Sequence, residues 1–211
     1  MSGPPGPTRV ILDVKGGVDD WKEAYKQFLL TMKGSDGYNR YRWGPWEGDH
    51  SKLEILASWE SPAKRQAFGT SPDHARAVEA VRPIIKAIPS KCPRFDLDVR
   101  TYKPPPQEFL NSPLCEVVTV THCTGDPAAM QARLVEAEKQ DGCLAAHSGV
   151  AATDTPDKGT VWIGFIGWKS YEHAKKADKG TYLPEGCGEL EHHCLNFNFP
   201  IKGYSVTNPG K

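Results

Sequence analysis

The chain has 211 residues, and its 26 lysines and arginines balance 26 aspartates and glutamates, so the formal net charge is zero. Proteins that bind nucleic acid by neutralising phosphates usually have a basic excess, which this composition lacks. No apolar run reaches the roughly 18–20 residues needed to span a bilayer, and residues 1–7 have no apolar signal core, so we expect a cytoplasmic protein with no nucleic-acid or membrane partner.

The first half of the sequence predicts the element order strand, helix, strand, strand, helix, strand. A β-branched run at residues 8–15 predicts the first strand. Apolar residues at spacings of three and four then predict a helix with one buried stripe, formed by Trp21, Ala24, Tyr25, Phe28, Leu29 and Met32. Strands follow at residues 38–43, 52–60 and 95–102, with a loop at 44–51 and a helical region from 62 to about 88 that breaks at 69–72.

The second half predicts the same order. The strands are expected at residues 116–122, 143–151, 160–168 and 195–204, and the helices at 127–139 and 170–179. Equivalent landmarks keep a nearly constant offset, because Gly37 and Gly142 are 105 positions apart and Trp59 and Trp168 are 109 apart. We interpret this offset as an internal repeat.

The prolines at 104–106 predict a semi-rigid spacer near the middle of the chain. We therefore expect a first repeat over 1–103, a linker over 104–113 and a second repeat over 114–211. Each repeat has the β-α-β-β-α-β order of the ferredoxin-like arrangement, an α+β fold. Because such a sheet has one bare face, we expect the halves to pack sheet to sheet as an intramolecular α/β barrel, either a monomeric pseudo-dimer or a further homodimer.

The strand faces agree with this architecture. In the first strand, Val10, Leu12 and Val14 alternate with Arg9 and Asp13, which predicts an apolar face toward the helices and a polar face on the other side. Two interpretations of the polar face stay open. It is either filled by paired charges and water, or it forms a polar lumen that holds a substrate.

The whole pattern resembles the dimeric α/β-barrel superfamily, and within it the antibiotic-biosynthesis-monooxygenase-like and stress-responsive barrel proteins. The residues that carry the resemblance are a strand ending in Trp59, a helix start at Ser61-Pro62 and the turn Ser71-Pro72-Asp73-His74. The second half keeps Trp168-Lys169-Ser170 but has no Ser-Pro-x-His turn. The resemblance implies a small enzyme of secondary metabolism that acts on an aromatic or polyketide-like molecule as a cyclase, lyase, isomerase or monooxygenase.

Three histidines are the candidate catalytic residues. In cofactor-free cyclases of the superfamily, a histidine in the matching Pro-x-His turn acts as acid and base, and His74 has that position. His122 ends one predicted strand and His147 lies among small residues in the next, so both could face one cavity. An imidazole suits proton transfer because its pKa lies near neutral pH. The alternative for each is a structural histidine at a helix start or in the core.

Four aromatic residues are the candidate substrate-binding residues. Tyr41 and Trp43 share a strand face, and Trp46 and Trp59 lie nearby in sequence, so the four could form a box for a planar substrate. The alternative is an ordinary core. We place the expected site in the first repeat, with the loop at 44–51 as a mobile cover.

No metal site is predicted, because the six cysteines lack finger-like spacing, and without a signal peptide they are expected to be reduced thiols. No organic cofactor is expected either. The superfamily also has a haem-binding branch in which a helix histidine binds iron, and His74 could serve there. A non-catalytic ligand-binding or stress-response protein of the same fold is the further alternative.

Overall fold

The computed structural model describes residues 7–86, 94–97, 111–153, 158–202 and 204. These residues form an α+β fold in which the order β-α-β-β-α-β occurs twice, as predicted. The strands are β1 Thr8–Asp13, β2 Tyr38–Trp46, β3 Asp49–Trp59, β4 Arg94–Leu97, β5 Leu114–Thr121, β6 Cys143–Thr153, β7 Val161–Trp168 and β8 Glu189–Leu195. The α-helices are α1 Val18–Lys33, α2 Pro62–Gly69, α3 Pro72–Val81, α4 Pro127–Val135, α5 Tyr171–Lys176 and α6 Lys179–Tyr182, and a 3₁₀-helix spans Glu136–Lys139.

The described residues divide into two compact units. The first contains residues 7–86, 199–202 and 204, and the second contains the described part of Arg94–Asn198. In the first unit, β1, β3 and β2 pair antiparallel in that order. The predicted helical stripe is confirmed, because Trp21, Tyr25, Leu29 and Met32 of α1 are all buried in its core.

A tight hairpin stands where the sequence predicted a mobile loop at 44–51. β2 continues to Trp46, which pairs with Asp49 at the start of β3, so only Glu47 and Gly48 form the turn. Gly48 has a φ of +83°, a left-handed conformation that favours glycine in such turns. The prediction of a loop was wrong because the Gly and Pro residues of this segment sit within or between paired strands.

Both helices of the first unit that begin with Ser-Pro are capped as this sequence pattern predicts. The Ser61 hydroxyl accepts from the backbone N–H of Lys64 at 3.2 Å, and the Ser71 hydroxyl accepts from that of His74 at 3.1 Å. The predicted break between them is confirmed. α3 ends at Val81, and residues 87 and 88 of the predicted helix lie outside the described residues.

The second unit has five strands in the order β8-β5-β7-β6-β4, all antiparallel to their neighbours. The strands β8, β5, β7 and β6 have the ferredoxin-like order, in which the last strand of the unit in sequence lies beside the first. Here β8 lies beside β5. α4 begins at Pro127 with Asp126 as its cap, because the Asp126 carboxylate accepts from the Ala129 N–H at 3.0 Å. The predicted helix at 170–179 is divided into α5 and α6.

The last segment of each repeat differs from the prediction. The closing strand expected at residues 195–204 is instead β8, Glu189–Leu195, and the residues after it leave the ladder. Phe199 and Ile201 pack into the core of the first unit, where the Phe199 N–H donates to the Trp43 carbonyl at 3.3 Å. β4, the closing strand of the first repeat, pairs with β6 in the second unit. Most of the predicted linker, 104–110, lies outside the described residues.

One local geometry occurs in both units. Gly37 precedes β2 with a φ of +77°, and Gly142 precedes β6 with a φ of +80°. The Gly37 carbonyl accepts from the Glu60 N–H at 3.0 Å, and the Gly142 carbonyl accepts from the Lys169 N–H at 2.9 Å. Both partners directly follow the tryptophan that ends the neighbouring strand, so the two units share this local backbone geometry.

None of the helices in the described parts of the chain has the length and hydrophobicity that crossing a membrane requires. The five cysteines in those parts, Cys115, Cys123, Cys143, Cys187 and Cys194, are free thiols.

Candidate functional site

A groove of about 350 Å³ runs along the second unit. Its lining comes from α6, from the segment after it and from the start of β8, and it includes Lys179, Leu183, Pro184, Glu185, Gly186 and Leu190. Arg133 of α4 fixes one wall, because its guanidinium donates to the carbonyl of Leu183 at 2.6 Å and to that of Gly180 at 2.8 Å. The groove combines apolar side chains with a few charged groups, a composition typical of sites for small molecules.

A fully buried carboxylate lies behind this groove. Glu116 of β5 is 0% exposed, and its Oε2 accepts hydrogen bonds from Trp168 Nε1 at 3.1 Å, Tyr182 Oη at 3.0 Å and Lys179 Nζ at 3.0 Å. Its Oε1 lies 3.1 Å from Nδ1 of His192. Since Lys179 also lines the groove, the buried carboxylate is coupled to the surface through this lysine.

The surroundings of Glu116 keep it ionised at neutral pH. Burial acts to raise the pKa of this carboxyl, but the contact with His192, the hydrogen bonds from Lys179 and Tyr182 and the charge of Lys179 outweigh burial and bring the pKa below its ordinary value of 4.5. Burial and the nearby carboxylate also raise the pKa of Tyr182, so that its hydroxyl stays protonated and donates.

His192 stands on β8 on the same face of the sheet as Glu116, because it is directly opposite Val118, two residues along β5. Its side chain is 38% exposed. The 3.1 Å contact is a close approach of Nδ1 to the carboxylate without the alignment of a hydrogen bond, because Oε1 of Glu116 has no hydrogen-bond partner among the described residues. The arrangement is a half-exposed imidazole beside a buried carboxylate, two residues along β8 from Leu190, which lines the groove.

Lys179 is the counter-ion of Glu116. Its ammonium also donates to the Ala174 carbonyl at 2.7 Å and to Tyr182 Oη at 2.6 Å. With Glu116, these partners use the three N–H groups of the ammonium. Lys179 therefore holds its neighbours in place and contributes a positive charge to the groove.

The predicted aromatic box of the first unit is divided between two faces of the sheet. Tyr41, Trp43 and Trp59 are buried in one core, where Tyr41 and Trp59 meet edge to face with centroids 6.2 Å apart. Trp46 belongs to the other face, since its Nε1 donates to Glu54 Oε2 at 3.0 Å. The structure thus brings three of the four residues together, as core, and separates Trp46 from them.

His74 lies in the first turn of α3, half-buried. Its ring packs edge-on against Phe68, with centroids 5.4 Å apart, and Phe68 packs against Trp59 at 5.0 Å. His74 therefore lies at the start of a helix and beside the aromatic core, as predicted.

The structure does not bring His147 and His122 together. β7 lies between β5 and β6, and the position on β5 in line with His147 is Val117, reached through Phe165. His122 lies five residues further along and is exposed, with a φ of +50°. The two histidines therefore do not share a cavity across adjacent strand ends.

The predicted polar face of the first unit contains a buried ion pair. Arg9 donates to Glu54 through Nε at 2.7 Å and through Nη2 at 3.1 Å, and the two side chains are 1% and 0% exposed. This contact fits the interpretation of a face filled by paired charges.

A haem ligand needs a ring nitrogen aimed at open space large enough for a porphyrin. The His74 ring is half-buried and packs against Phe68. The ring nitrogens of His173 on α5 face Ser170 Oγ at 3.0 Å and the Asp141 carboxylate at 3.8 Å. Within the described ranges, no group of three or more His, Cys, Asp and Glu side chains could hold a metal ion.

Glu116, Lys179, Tyr182 and His192 are not among the site residues predicted from the sequence. The last strand was expected at residues 195–204, so residue 192 fell outside every predicted strand. One signal was present: Glu116 is the only charged residue in the strand sequence LCEVVTVT, and a charge in a buried strand needs partners.

No protein-family model matches the sequence, and no curated protein matches it either. Solved structures are similar in fold. An anthrone oxidase-like protein is 10% identical with a TM-score of 0.65, covering 92% of this chain and 91% of its own. A candidate monooxygenase from Fusobacterium nucleatum is 14% identical with a TM-score of 0.60, covering 96% of this chain and 97% of its own.

A haem-binding protein from Thermus thermophilus is also similar, at 9% identity and a TM-score of 0.52, covering 93% of this chain and 95% of its own. Proteins of this fold thus include a haem-binding member as well as monooxygenase-like ones, and the fold does not choose between them. At these identities the likeness shows a shared fold alone.

Proposed function

We propose that this protein is a small-molecule enzyme in which His192 removes a proton from, or returns one to, a substrate bound in the groove of the second unit. The observation that carries the proposal is the 3.1 Å contact between His192 Nδ1 and the fully buried carboxylate of Glu116. A base oriented by a carboxylate is a recurring arrangement for proton transfer. Glu116 is a positioning residue, because it acts through His192.

The charges of the cluster suit this role. Lys179 neutralises Glu116, so that the carboxylate orients the ring without a net buried charge. When His192 takes up a proton, the carboxylate at Nδ1 stabilises the imidazolium. The protonated cluster then has one net positive charge at the edge of the groove, which favours an anion formed in the substrate.

The substrate class follows from the groove and the chemistry. Leu183, Leu190 and Pro184 give the groove apolar walls, which suit a flat ring compound. Removal of a proton from a phenol, or from a carbon beside a carbonyl, gives an anion that can cyclise or react with O₂ without an organic cofactor. We therefore propose an aromatic or polyketide-like substrate, and the similarity in fold to an anthrone oxidase-like protein supports oxygenation as the reaction to test first.

Anthrone is a suitable probe, because its oxidation consumes one O₂ per molecule and gives anthraquinone and water. Oxygen uptake is followed with an electrode, after subtraction of the rate without protein. We expect His192→Gln to lower the rate by about 10²–10⁴-fold. His50→Gln, at an exposed histidine of β3, is the matched control and keeps the wild-type rate.

Two outcomes would contradict the proposal. A His192→Gln variant that folds and keeps the wild-type rate excludes this residue as the base, and His74→Ala, His122→Ala and His147→Ala in the same assay then test the histidines predicted from the sequence. Saturable binding of anthrone and related hydroxyanthrones without turnover would indicate a non-catalytic ligand-binding protein.

We also propose that the chain is a fused pair of ferredoxin-like repeats, in which the second repeat replaces a second subunit. The matching carbonyl contacts of Gly37 and Gly142 support a common origin of the repeats. Sedimentation equilibrium is expected to give the mass of one chain, 23.3 kDa. A dimer mass at micromolar concentration would contradict the monomeric state.

A further inference from the structure

Cys123 and Cys187 lie in the two segments that extend beyond the ladder of β5 and β8. The ladder ends with Thr121 opposite Glu189. Beyond it, the Thr124 N–H donates to the Cys187 carbonyl at 2.9 Å, so the two segments remain in contact.

A third sulfur joins them from α4. Cys123 Sγ lies 3.5 Å from Sδ of Met130, which is buried in the core of the second unit. A Cβ atom on Gly125 would lie 2.8 Å from Met130 Sδ and 2.9 Å from Cys187 Sγ. Both sulfurs therefore lie close to the side of Gly125 on which other residues have a side chain. The missing side chain of Gly125 is what allows the sulfurs to approach.

Thiolates and thioethers are soft ligands, which favour Cu(I), zinc and iron–sulfur clusters. Zinc sites use Cys, His, Asp and Glu, so the thioether of Met130 favours Cu(I) over zinc. Two sulfurs that each lie about 2.3 Å from one ion are at most ~4.6 Å apart, and the distance between Cys123 and Met130 meets this condition. Hard cations prefer oxygen ligands, and this cluster offers sulfur. We propose that Cys123, Met130 and Cys187 form a binding site for a single Cu(I) ion.

The other thiols of the second unit provide a contrast. Cys143 is half-buried, and burial, together with the charge of Glu138, raises the pKa of its thiol to about 11. A metal ligand must lose its proton, so Cys143 is poorly suited to bind a metal at neutral pH. It is therefore a matched control, a partly buried cysteine of the same unit outside the proposed site.

A metal at this site would also act on the groove. Cys187 lies between Gly186 and Gly188, both of which line the groove. Bound copper would connect this wall to α4 through Met130. The site itself does not depend on the proposed enzymatic function, since copper binding is measured without a substrate.

The first test is a competition for Cu(I) under anaerobic, reducing conditions, with bathocuproine disulfonate as the coloured competitor. Wild-type protein is expected to withdraw one equivalent of copper. Cys123→Ser and Cys187→Ser should each weaken binding by more than the about 10–100-fold that follows loss of an outer-shell partner. Met130→Leu should weaken binding less, and Cys143→Ser should leave it unchanged. Equal binding by wild type and Cys123→Ser would overturn the proposal.

The second test uses unmodified protein, so that it does not depend on the folding of the serine variants. One equivalent of Ag(I), a redox-inert substitute for Cu(I), is added before alkylation with iodoacetamide, and the labelled cysteines are identified by mass spectrometry. We expect protection of Cys123 and Cys187 and no protection of Cys143. Uniform labelling overturns the proposal, and so does a reduced protein that takes up no copper but forms a Cys123–Cys187 disulfide with peroxide.

Discussion

The two units each bury a glutamate that accepts a hydrogen bond from a tryptophan indole, and the two glutamates differ in their other partners. Glu54 pairs with Arg9, which is 1% exposed, whereas Glu116 pairs with Lys179 and His192, which are 30% and 38% exposed. Glu54 is buried together with Arg9, whereas Glu116 is connected to solvent through Lys179 and His192. Under the proposed function, this difference is what lets Glu116, and not Glu54, act on a bound substrate.

Removal of one partner from the buried pair of Arg9 and Glu54 should have the largest effect on stability. Arg9→Met leaves the Glu54 carboxylate buried without its guanidinium, and we expect a loss of about 3–5 kcal/mol in the free energy of unfolding, measured with urea. Arg9→Met combined with Glu54→Met should recover most of this loss, because two apolar side chains replace the pair.

The control for this prediction is Arg82→Met. Arg82 contacts Glu79 through two nitrogens, but the side chains are 55% and 63% exposed, so the expected loss is below about 1 kcal/mol. If the double variant is as unstable as Arg9→Met alone, the uncompensated charge is not the cause of the loss.

Removal of the charge of Glu116 should have a smaller effect on the free energy of unfolding than Arg9→Met. Glu116→Gln keeps the shape of the side chain, and the cationic partners can turn toward water, so we expect a loss of about 1–3 kcal/mol. In the proposed role the carboxylate holds the ring proton of His192 on Nδ1, so an amide, which presents an N–H₂ group there, would move the proton to Nε2. Nitrogen-15 NMR of the ring reports this change of tautomer, and an unchanged tautomer would contradict the assigned role of Glu116.

The shared glycines allow a finer comparison of the units. Gly37→Ala and Gly142→Ala both force a Cβ into a left-handed conformation, at about 1–2 kcal/mol each. The new Cβ would meet the flexible Lys64 side chain in one case and the His173 ring in the other. Because Ser170 holds that ring, Gly142→Ala should lower the melting temperature more. The reverse order would show that His173 moves more easily than Lys64.

Acidification should give the smallest effect. The pKa of Glu116 is lower in the folded protein than its ordinary 4.5, so its stabilising contribution is complete above pH 4.5 and is lost as the pH falls through the folded-state pKa. The difference in unfolding free energy between wild type and Glu116→Gln should therefore shrink below pH 4.5. Urea titrations at pH 7 and at acidic pH measure it, and a constant difference would contradict the lowered pKa.

Features with a local physical cause could be predicted from the sequence. The spacing of Trp21, Tyr25, Leu29 and Met32 is the helical period itself, and these residues form the buried face of α1. The Ser-Pro pairs likewise act within one turn of helix. The repeated element order follows from such local signals, and the structure confirms it.

The position of β8 could not be predicted from local sequence signals. Leu195, Phe197, Phe199 and Ile201 alternate as a half-buried strand would, yet the ladder ends at Leu195. The strand that forms, Glu189–Leu195, looks like a solvated segment because its side chains include Glu189, Glu191, His192 and His193. Its pairing with β5 decides its position, and this pairing is not encoded in its own alternation of residues.

The candidate site depends on the same pairing. Glu116 and His192 are 76 positions apart and meet only through the register of β5 with β8. The lone charge of Glu116 in an apolar strand indicated that it needed partners, but three histidines elsewhere had more familiar sequence contexts. The register, which sets the contact, lies beyond what composition and spacing can show.

The placement of Phe199 and Ile201 in the first unit has a consequence for biosynthesis. These residues follow the whole second unit in the sequence, and the core they complete contains Trp21 and Trp43 from the first unit. Domains commonly fold as they emerge, with the N-terminal domain first. Here the core of the first unit must wait, partly open, until residues 199–201 leave the ribosome, while the residues that build the second unit have all emerged before it.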